Sequence, residues 1–456
     1  MNRIASRSAA IFLLVILLLG GVGFFVADYF RNGDKWVMKE GSPHVYVGPN
    51  IGCGVVTDRD GLLLLDTNEE RLYSPDAALR AATMHWVGDR YGYISAPAVA
   101  SYAEEMAGYD AVSGLYSYTG AGQTTLTLSA ELQKIALEAM GDKKGTVAVY
   151  NYKTGEILCA VSTPTYDPND PPVLTEENQS AYEGVYMNRF TMSAYVPGSI
   201  FKVVTAAAAL EEIPDIREQT FTCTGSRPYH PQPVTCSRAH GELDFDSALA
   251  QSCNCSFAAI VDQLGPEKLQ YYVEKYGVTG SVSFDGITTA SGNFDLTDAG
   301  KNQIAWSGIG QHTDQVNPCT YLAFIGAVAN GGAGITPHVV SKVTCGKDVT
   351  YQAAAQRAET IMPEFVAQEL QRMMRNNVVE KYGVDSFPEG MTVCGKSGTA
   401  QSDYRESNGL FAGFVTDESY PLAFIAVVEE GGSGREVCVP ILSAVLAACK
   451  EMMDAA

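Results

Sequence analysis

Three short clusters in this chain carry residues that can do covalent chemistry. They are Ser199-Ile-Phe-Lys202, Ser252-Cys253-Asn254 and Lys396-Ser397-Gly398-Thr399, the last followed by Ala400-Gln401. A serine hydroxyl is a weak nucleophile at neutral pH and needs a base beside it. If a helix starts at Ser199, a lysine three residues on shares its face and can be that base once burial lowers its pKa. Ile200, Phe201, Val203 and Val204 supply the apolar surroundings for such a shift. The helix start also points free backbone N–H groups at the reacting centre. In the second cluster a hydroxyl and a carboxamide, two residues apart, can face one cavity. One relays a proton and the other binds an amide. In the third, Gly398 permits close backbone approach and Thr399 offers an N–H and a hydroxyl. Lys396 can hold a carboxylate or help keep Lys202 neutral. Taken singly, each has a plainer reading: an N-cap serine with a solvated lysine, a helix-capping pair, and, for the third, a phosphate loop.

The phosphate loop is the sharpest competitor. Gly390-Met-Thr-Val-Cys-Gly395-Lys396-Ser397 matches G-x-x-x-x-G-K-[ST] throughout. That motif needs a strand ending before its first glycine and a helix beginning at the lysine. The stretch before it, Asp385 to Glu389, is turn-like with a proline, and Gly-Thr-Ala-Gln-Ser-Asp after Ser397 is a poor helix start. Met391 to Cys394 predicts a strand running into the cluster. Nucleotide binding is therefore not the expectation.

The surrounding patterns predict the elements that must hold these clusters. Ser129 is a good N-cap, Leu132, Ile135, Ala136 and Met140 share a helical face, and Gly141 stops that helix. GTVAVYNYKTGEILCAVST predicts two strands joined at Lys153-Thr154-Gly155. SIFKVVTAAAALEE predicts an apolar helix opened by Pro197-Gly198, and Ser252 falls between two apolar helical patterns. LFAGFVT and LAFIAVVEE predict adjacent strands, followed by a helix from about Ile441 to Met453. This order predicts an α+β fold, an antiparallel sheet packed with helices. Before it, Arg31 to about Gln123 forms a smaller region, with a hairpin at Asp60-Gly61 and a helix over APAVASYAEEMAGY.

Composition sets the partners and compartment. With 31 Lys plus Arg against 52 Asp plus Glu, the net charge is −21. No basic patch offsets this field, so nucleic acid is excluded as a partner. At 46% hydrophobic residues the chain can close a large core. Arg3 and Arg7 precede an uncharged run from Ala9 to Ala27, which as a helix spans about 28 Å, near the thickness of a bilayer core. Phe24, Phe25 and Tyr29 crowd the place where a signal-peptide cleavage site needs small residues. An uncleaved anchor is expected, with its positive flank in the cytoplasm and everything after Asp28 outside.

Ser-x-x-Lys, then Ser-x-Asn, then Lys-Ser-Gly-Thr is the ordered signature of the penicillin-recognising serine acyltransferases. The chain resembles that family, and within it the class B penicillin-binding proteins. Asn188-Arg189 before PGSIFK, GEILCAVSTPTYDPND, and Gly308-Ile-Gly310-Gln311 leading to VANGG strengthen the resemblance. It covers residues 125–456 well and the preceding region loosely. The resemblance implies a penicillin-binding transpeptidase fold, a central antiparallel sheet with helices on both sides. With the cytoplasmic tail over 1–8 and the anchor over 9–27, it implies a short pedestal-like region over 31–123 and a transpeptidase domain over 125–456. The implied activity is a D,D-transpeptidase that cross-links peptidoglycan stem peptides ending in D-Ala-D-Ala.

Carried onto this sequence, Ser199 would be the nucleophile, Lys202 its base, and Ser252 a proton relay. Asn254 would hydrogen-bond the substrate backbone. Lys396 and Thr399 would bind its carboxylate, with Ser397, Gly398 and Gln401 beside them. The N–H groups of Ser199 and Thr399 would form the oxyanion hole. No metal or organic cofactor is needed, and β-lactams would acylate Ser199. A polytopic glycan-polymerising glycosyltransferase is the implied partner. A serine β-lactamase, a β-lactam sensor and a D,D-carboxypeptidase are alternatives using the same site. The first is usually a compact secreted domain, and the second normally has a cytoplasmic output module. A Ser-His-Asp hydrolase is not supported, because G-x-S-x-G is absent. Eleven cysteines form an odd set. Cys223 and Cys236 flank a twelve-residue loop and are the favoured disulfide, with a zinc site using His240 or His230, or a reduced pair, as alternatives.

Overall fold

The computed structural model describes residues 2–39, 42, 46–47, 50–52, 54–68, 70–112, 114–115, 122–400 and 406–455. Gln401 lies outside the described residues. The first element is a single helix, α1 (Asn2–Val37), whose segment Ile4–Val37 is long and apolar enough to cross a membrane. It extends past the apolar run at both ends, since no proline or cap interrupts the flanking residues.

A helix, α2 (Ala130–Met140), follows its Ser129 cap, whose side chain accepts from the N–H of Leu132. Next come strands β1 (Gly145–Asn151) and β2 (Ile157–Thr163), then helices α3 (Lys202–Glu212), α4 (Asn254–Leu264), α5 (Pro318–Ala329) and α6 (Glu364–Asn377). Strands β3 (Val393–Ala400), β4 (Asn408–Val415) and β5 (Leu422–Val428) lead into the final helix, α7 (Gly434–Asp454). The five strands form one antiparallel sheet in the order β2-β1-β5-β4-β3.

Side chains alternate across a strand, so a sheet covered on both faces needs near-continuous apolar strands. Along β5, Phe424, Ala426 and Val428 join one core with Leu132 of α2 and Leu442 and Val445 of α7. Ala423, Ile425 and Val427 join the opposite core, with Leu322 and Ile325 of α5 and Ile200 and Phe201. Helix α7 begins seven residues before the expected Ile441. Pro440 lies inside it on the exposed side, where water can satisfy the carbonyl that loses its partner.

A second sheet of six strands runs Asp348–Gln352, Val340–Cys345, Gly122–Leu126, Val55–Thr57, Leu63–Asp66, Leu72–Tyr73. The hairpin at Asp60-Gly61 is present, pairing Thr57 with Leu63. Val55–Thr57 pairs in parallel with Gly122–Leu126. The expected division between residues 123 and 125 thus runs through one strand, and two further strands come from far along the chain. Val56, Leu65, Leu126, Val340 and Val343 share one core with Ile200 and Phe201. The helix expected over 96–109 is two short ones, Pro97–Ala100 and Ala103–Ala107. They part where the Ser101 hydroxyl turns back to the Ala98 carbonyl and Tyr102 reaches out to Asp285.

Candidate active site

Ser199 does not open an α-helix. Residues Gly198–Phe201 form a 3₁₀ turn, and α3 starts at Lys202. Residues i and i+3 eclipse in that tighter turn, which brings the lysine directly alongside the serine. Lys202 Nζ lies 3.1 Å from Ser199 Oγ. It is fully buried, and burial pulls its pKa down to about 7 against an opposing pull from Cys236, Cys253 and Cys255. Nζ also donates to the Ser252 carbonyl and to Asn254 Oδ1, both at 2.7 Å. A neutral amine has two N–H bonds and one lone pair. These two acceptors occupy the N–H bonds, so the lone pair remains for the Ser199 hydroxyl to donate into.

Ser252 lies in the connection between helix Phe245–Ala250 and α4, and Asn254 is the first residue of α4. Ser252 holds the left-handed conformation at φ 53°, uncommon for a residue with a side chain. Its hydroxyl oxygen stands between two lysines, 3.1 Å from Lys202 Nζ and 3.2 Å from Lys396 Nζ. Asn254 completes the turn by donating from Nδ2 to the Thr235 carbonyl at 2.8 Å.

The third cluster lies within the edge strand β3, which removes the phosphate-loop reading: Lys396 sits mid-strand, and the strand continues to Ala400 where that motif needs a helix to begin. Lys396 is buried and donates to the Ser397 carbonyl at 2.7 Å. Burial, then Lys202 and Lys381, hold its pKa well below the usual lysine range. Two buried ammonium groups flanking one hydroxyl repel each other, so the site disfavours charge on both. A Cβ on Gly398 would sit 2.7 Å from the Pro197 carbonyl, and one on Gly198, at φ 55°, would sit 2.6 Å from the Thr399 carbonyl. These glycines let the serine turn lie against the strand. Thr399 is exposed, and its carbonyl accepts from Gln311 Nε2 at 3.3 Å, off the free edge of the sheet. In an extended strand the N–H of a residue points the same way as its C=O. The Thr399 N–H therefore faces out alongside Ser199, as an oxyanion donor must.

Ser199, Ser252, Asn254, Gln311 and Thr399 line one cleft of about 370 Å³. A larger groove of about 880 Å³, flanked by Glu211, Asp246 and Arg372, shares none of them. The favoured Cys223–Cys236 disulfide is not formed; both are free thiols. Cys223 Sγ faces His240 Nδ1 at 3.4 Å, while Cys236 Sγ faces Cys253 and Cys255 at 3.7 and 3.5 Å. Sequence reasoning missed Tyr382, whose buried hydroxyl accepts the Ser397 N–H at 2.9 Å and lies 3.0 Å from Ser397 Oγ. It also missed Tyr321, which donates to the Ile200 carbonyl behind the serine turn at 2.8 Å. A lone tyrosine in an irregular segment has no local signature. Gln311 was visible only as part of the Gly308–Gln311 stretch.

The chain is similar to several known proteins. Residues 145–447 match the family model described as the penicillin-binding protein transpeptidase domain. The chain is 30% identical over 347 residues to stage V sporulation protein D of Bacillus subtilis, covering 70% of this chain and 52% of that protein. The chain thus spans about half the length of that relative. The D,D-transpeptidase domain of a peptidoglycan glycosyltransferase from Eggerthella lenta superposes with a TM-score of 0.76 at 24% identity, over 88% of this chain and 98% of that one. A penicillin G acyl-enzyme complex of penicillin-binding protein A from M. tuberculosis gives 0.72 at 21% identity, over 88% and 99%. A matched segment reaching from the first strand of the central sheet into its last helix, with all three clusters on one cleft inside it, leads to one conclusion: the chain belongs to the penicillin-binding protein transpeptidase family.

Proposed function

We propose that this protein is a membrane-anchored D,D-transpeptidase that joins peptidoglycan stem peptides through an acyl-enzyme. The observation that carries the proposal is the buried Lys202 amine, 3.1 Å from Ser199 Oγ with two acceptors of its own. Ser199 Oγ attacks the carbonyl of a D-Ala-D-Ala end and passes its proton to Lys202. The oxyanion accepts the backbone N–H groups of Ser199 and Thr399. The C–N bond breaks as a proton travels by way of Ser252 to the departing D-Ala amine. The amine of a second stem peptide then attacks the ester, releases Ser199 and forms the cross-link. Lys396 and Thr399 hold the donor carboxylate. Asn254, with one N–H on Thr235, directs the other at the substrate backbone.

A β-lactam presents a strained amide to the same serine. Residues 1–8 lie in the cytoplasm and the catalytic part outside. The preceding 31–123 region serves as a pedestal toward a polytopic glycan-polymerising partner. The test is the intact mass of the detergent-solubilised chain after incubation with penicillin, beside Ser199→Ala. A stable single adduct on the unmodified chain, absent from the variant, is expected. Rapid loss of that adduct would instead favour a β-lactamase, and no adduct at any time would sink the proposal.

A further inference from the structure

The 220–244 segment is a ribbon that makes little core of its own. Thr220–Cys223 pairs with Gly241–Asp244, and Ser226–Arg227 with Val234–Thr235. Along the first pair only Phe221, Cys223 and Leu243 are buried. A short two-stranded ribbon is marginal in water without a staple. Yet this ribbon forms a wall of the cleft, through Thr235, Ser237 and His240.

Three of its side chains meet one from the catalytic turn. The ligand atoms of Cys223, Cys236, His240 and Cys253 all lie within 4.8 Å of one another. Cys236 Sγ is 3.7 Å from Cys253 Sγ, and Cys223 Sγ is 3.4 Å from His240 Nδ1. A tetrahedral zinc ion, with Zn–S of about 2.3 Å and Zn–N of about 2.1 Å, sets sulfurs roughly 3.8 Å apart and sulfur from nitrogen roughly 3.6 Å apart. The two edges seen here come within about 0.2 Å of those lengths, whereas a disulfide needs about 2.05 Å. Three thiolates and an imidazole suit zinc and do not suit the oxygen-seeking cations. Cys223 and Cys253 are buried while Cys236 and His240 are half-buried, so the cluster is open to an ion from one side.

We propose that Cys223, Cys236, His240 and Cys253 form a Cys₃His zinc site that staples the ribbon to the Ser252–Asn254 turn. Cys253 lies between the strained Ser252 and Asn254, and Asn254 bonds to Thr235, the neighbour of Cys236. The ion is thereby a positioning element: it holds from behind the two residues that orient the Lys202 amine and takes no part in bond making. The metal site stands independently of the acyl-transfer reading; only its effect on Ser252 and Asn254 rests on that reading.

The test uses the full chain in detergent, purified under reducing conditions with zinc present and then dialysed. Elemental analysis should find a single zinc per chain, lost in Cys223→Ser and in His240→Ala but kept in Cys345→Ser. If the first two variants fail to fold, cobalt exchanged into the unmodified chain should give the visible bands of a tetrahedral thiolate site. Chelation should slow penicillin acylation by about tenfold or more, with recovery on adding zinc. Absence of bound zinc and of the cobalt bands overturns the site. So does a mapped Cys236–Cys253 or Cys236–Cys255 disulfide. Zinc that binds and leaves with acylation unchanged overturns the positioning role alone. A chain that binds zinc but is never acylated keeps the site and removes the transpeptidase proposal.

Discussion

Every residue of β1, β2 and β5 in the five-stranded sheet is buried, whereas the outermost strand of the six-stranded sheet, Asp348–Gln352, buries none. The first sheet lies between two helical layers and must be apolar on both faces. The second takes short strands from two distant parts of the chain and turns much of their surface to water. The candidate site sits on the first. Its edge strand β3 is held from both cores, through Val393 on one side and Cys394 on the other, while its free edge faces the cleft. The proposed mechanism, which holds a nucleophile, a base and an oxyanion donor in register, needs that rigidity. The second sheet ties the N-terminal region to the domain and can tolerate looser packing.

The contrast can be broken most severely at the base. Lys202→Met should slow penicillin acylation by roughly a hundred- to ten-thousand-fold while the chain stays folded, read by adduct formation and by circular dichroism. Truncating the two-faced core comes next. Phe424→Ala, at a fully buried position, should cost about 3–5 kcal/mol in urea unfolding of the detergent-solubilised chain. A loss under about 1 kcal/mol would contradict the two-core description. Gly398→Ala drives a Cβ toward the Pro197 carbonyl. It should cost about 1–3 kcal/mol and slow acylation by opening the gap between turn and strand.

The pH dependence follows from Lys202. In the proposed mechanism the neutral amine is the active form, and with its pKa lowered to about 7 acylation should rise roughly tenfold between pH 6 and pH 8. The same shift has a stability sign. Burial lowers this pKa in the folded chain, so the unfolded chain binds the extra proton between about 7 and the ordinary lysine value of 10.5. Stability should therefore rise with pH through that window, with the full penalty below it. Urea midpoints should show that slope, reduced in Lys202→Met. The smallest effect belongs to the second sheet. Val349→Ala, 57% exposed on Asp348–Gln352, should stay within about 0.5 kcal/mol of the unmodified chain.

What could be read ahead divides along the same line. Strands β1, β2, β4 and β5 and the Ser129-capped helix announce themselves by apolar runs and local caps. The hairpin at Asp60-Gly61 does so by its turn. The parallel pairing of Val55–Thr57 with Gly122–Leu126, and the addition of Val340–Cys345, join segments far apart and carry no local signal. Helix α7 hid its first turns because Pro440 reads as a stop until its exposed side is known. Tyr382 and Tyr321 were invisible for a related reason: each acts through a hydroxyl on a backbone group distant in sequence.

The amino-acid sequence by itself determined which groups were available, in what order, and the local turn that sets Ser199 beside Lys202. Three residues is a distance that helical geometry alone can close. Only the tertiary structure decided that Ser252 Oγ would meet Lys396 Nζ across 144 residues, and that two carbonyl oxygens would occupy the N–H bonds of Lys202. It also decided that Cys236 would turn from Cys223 toward Cys253. A depressed lysine pKa and a shared thiol cluster are properties of burial and of neighbours, which exist only once the chain has closed around them.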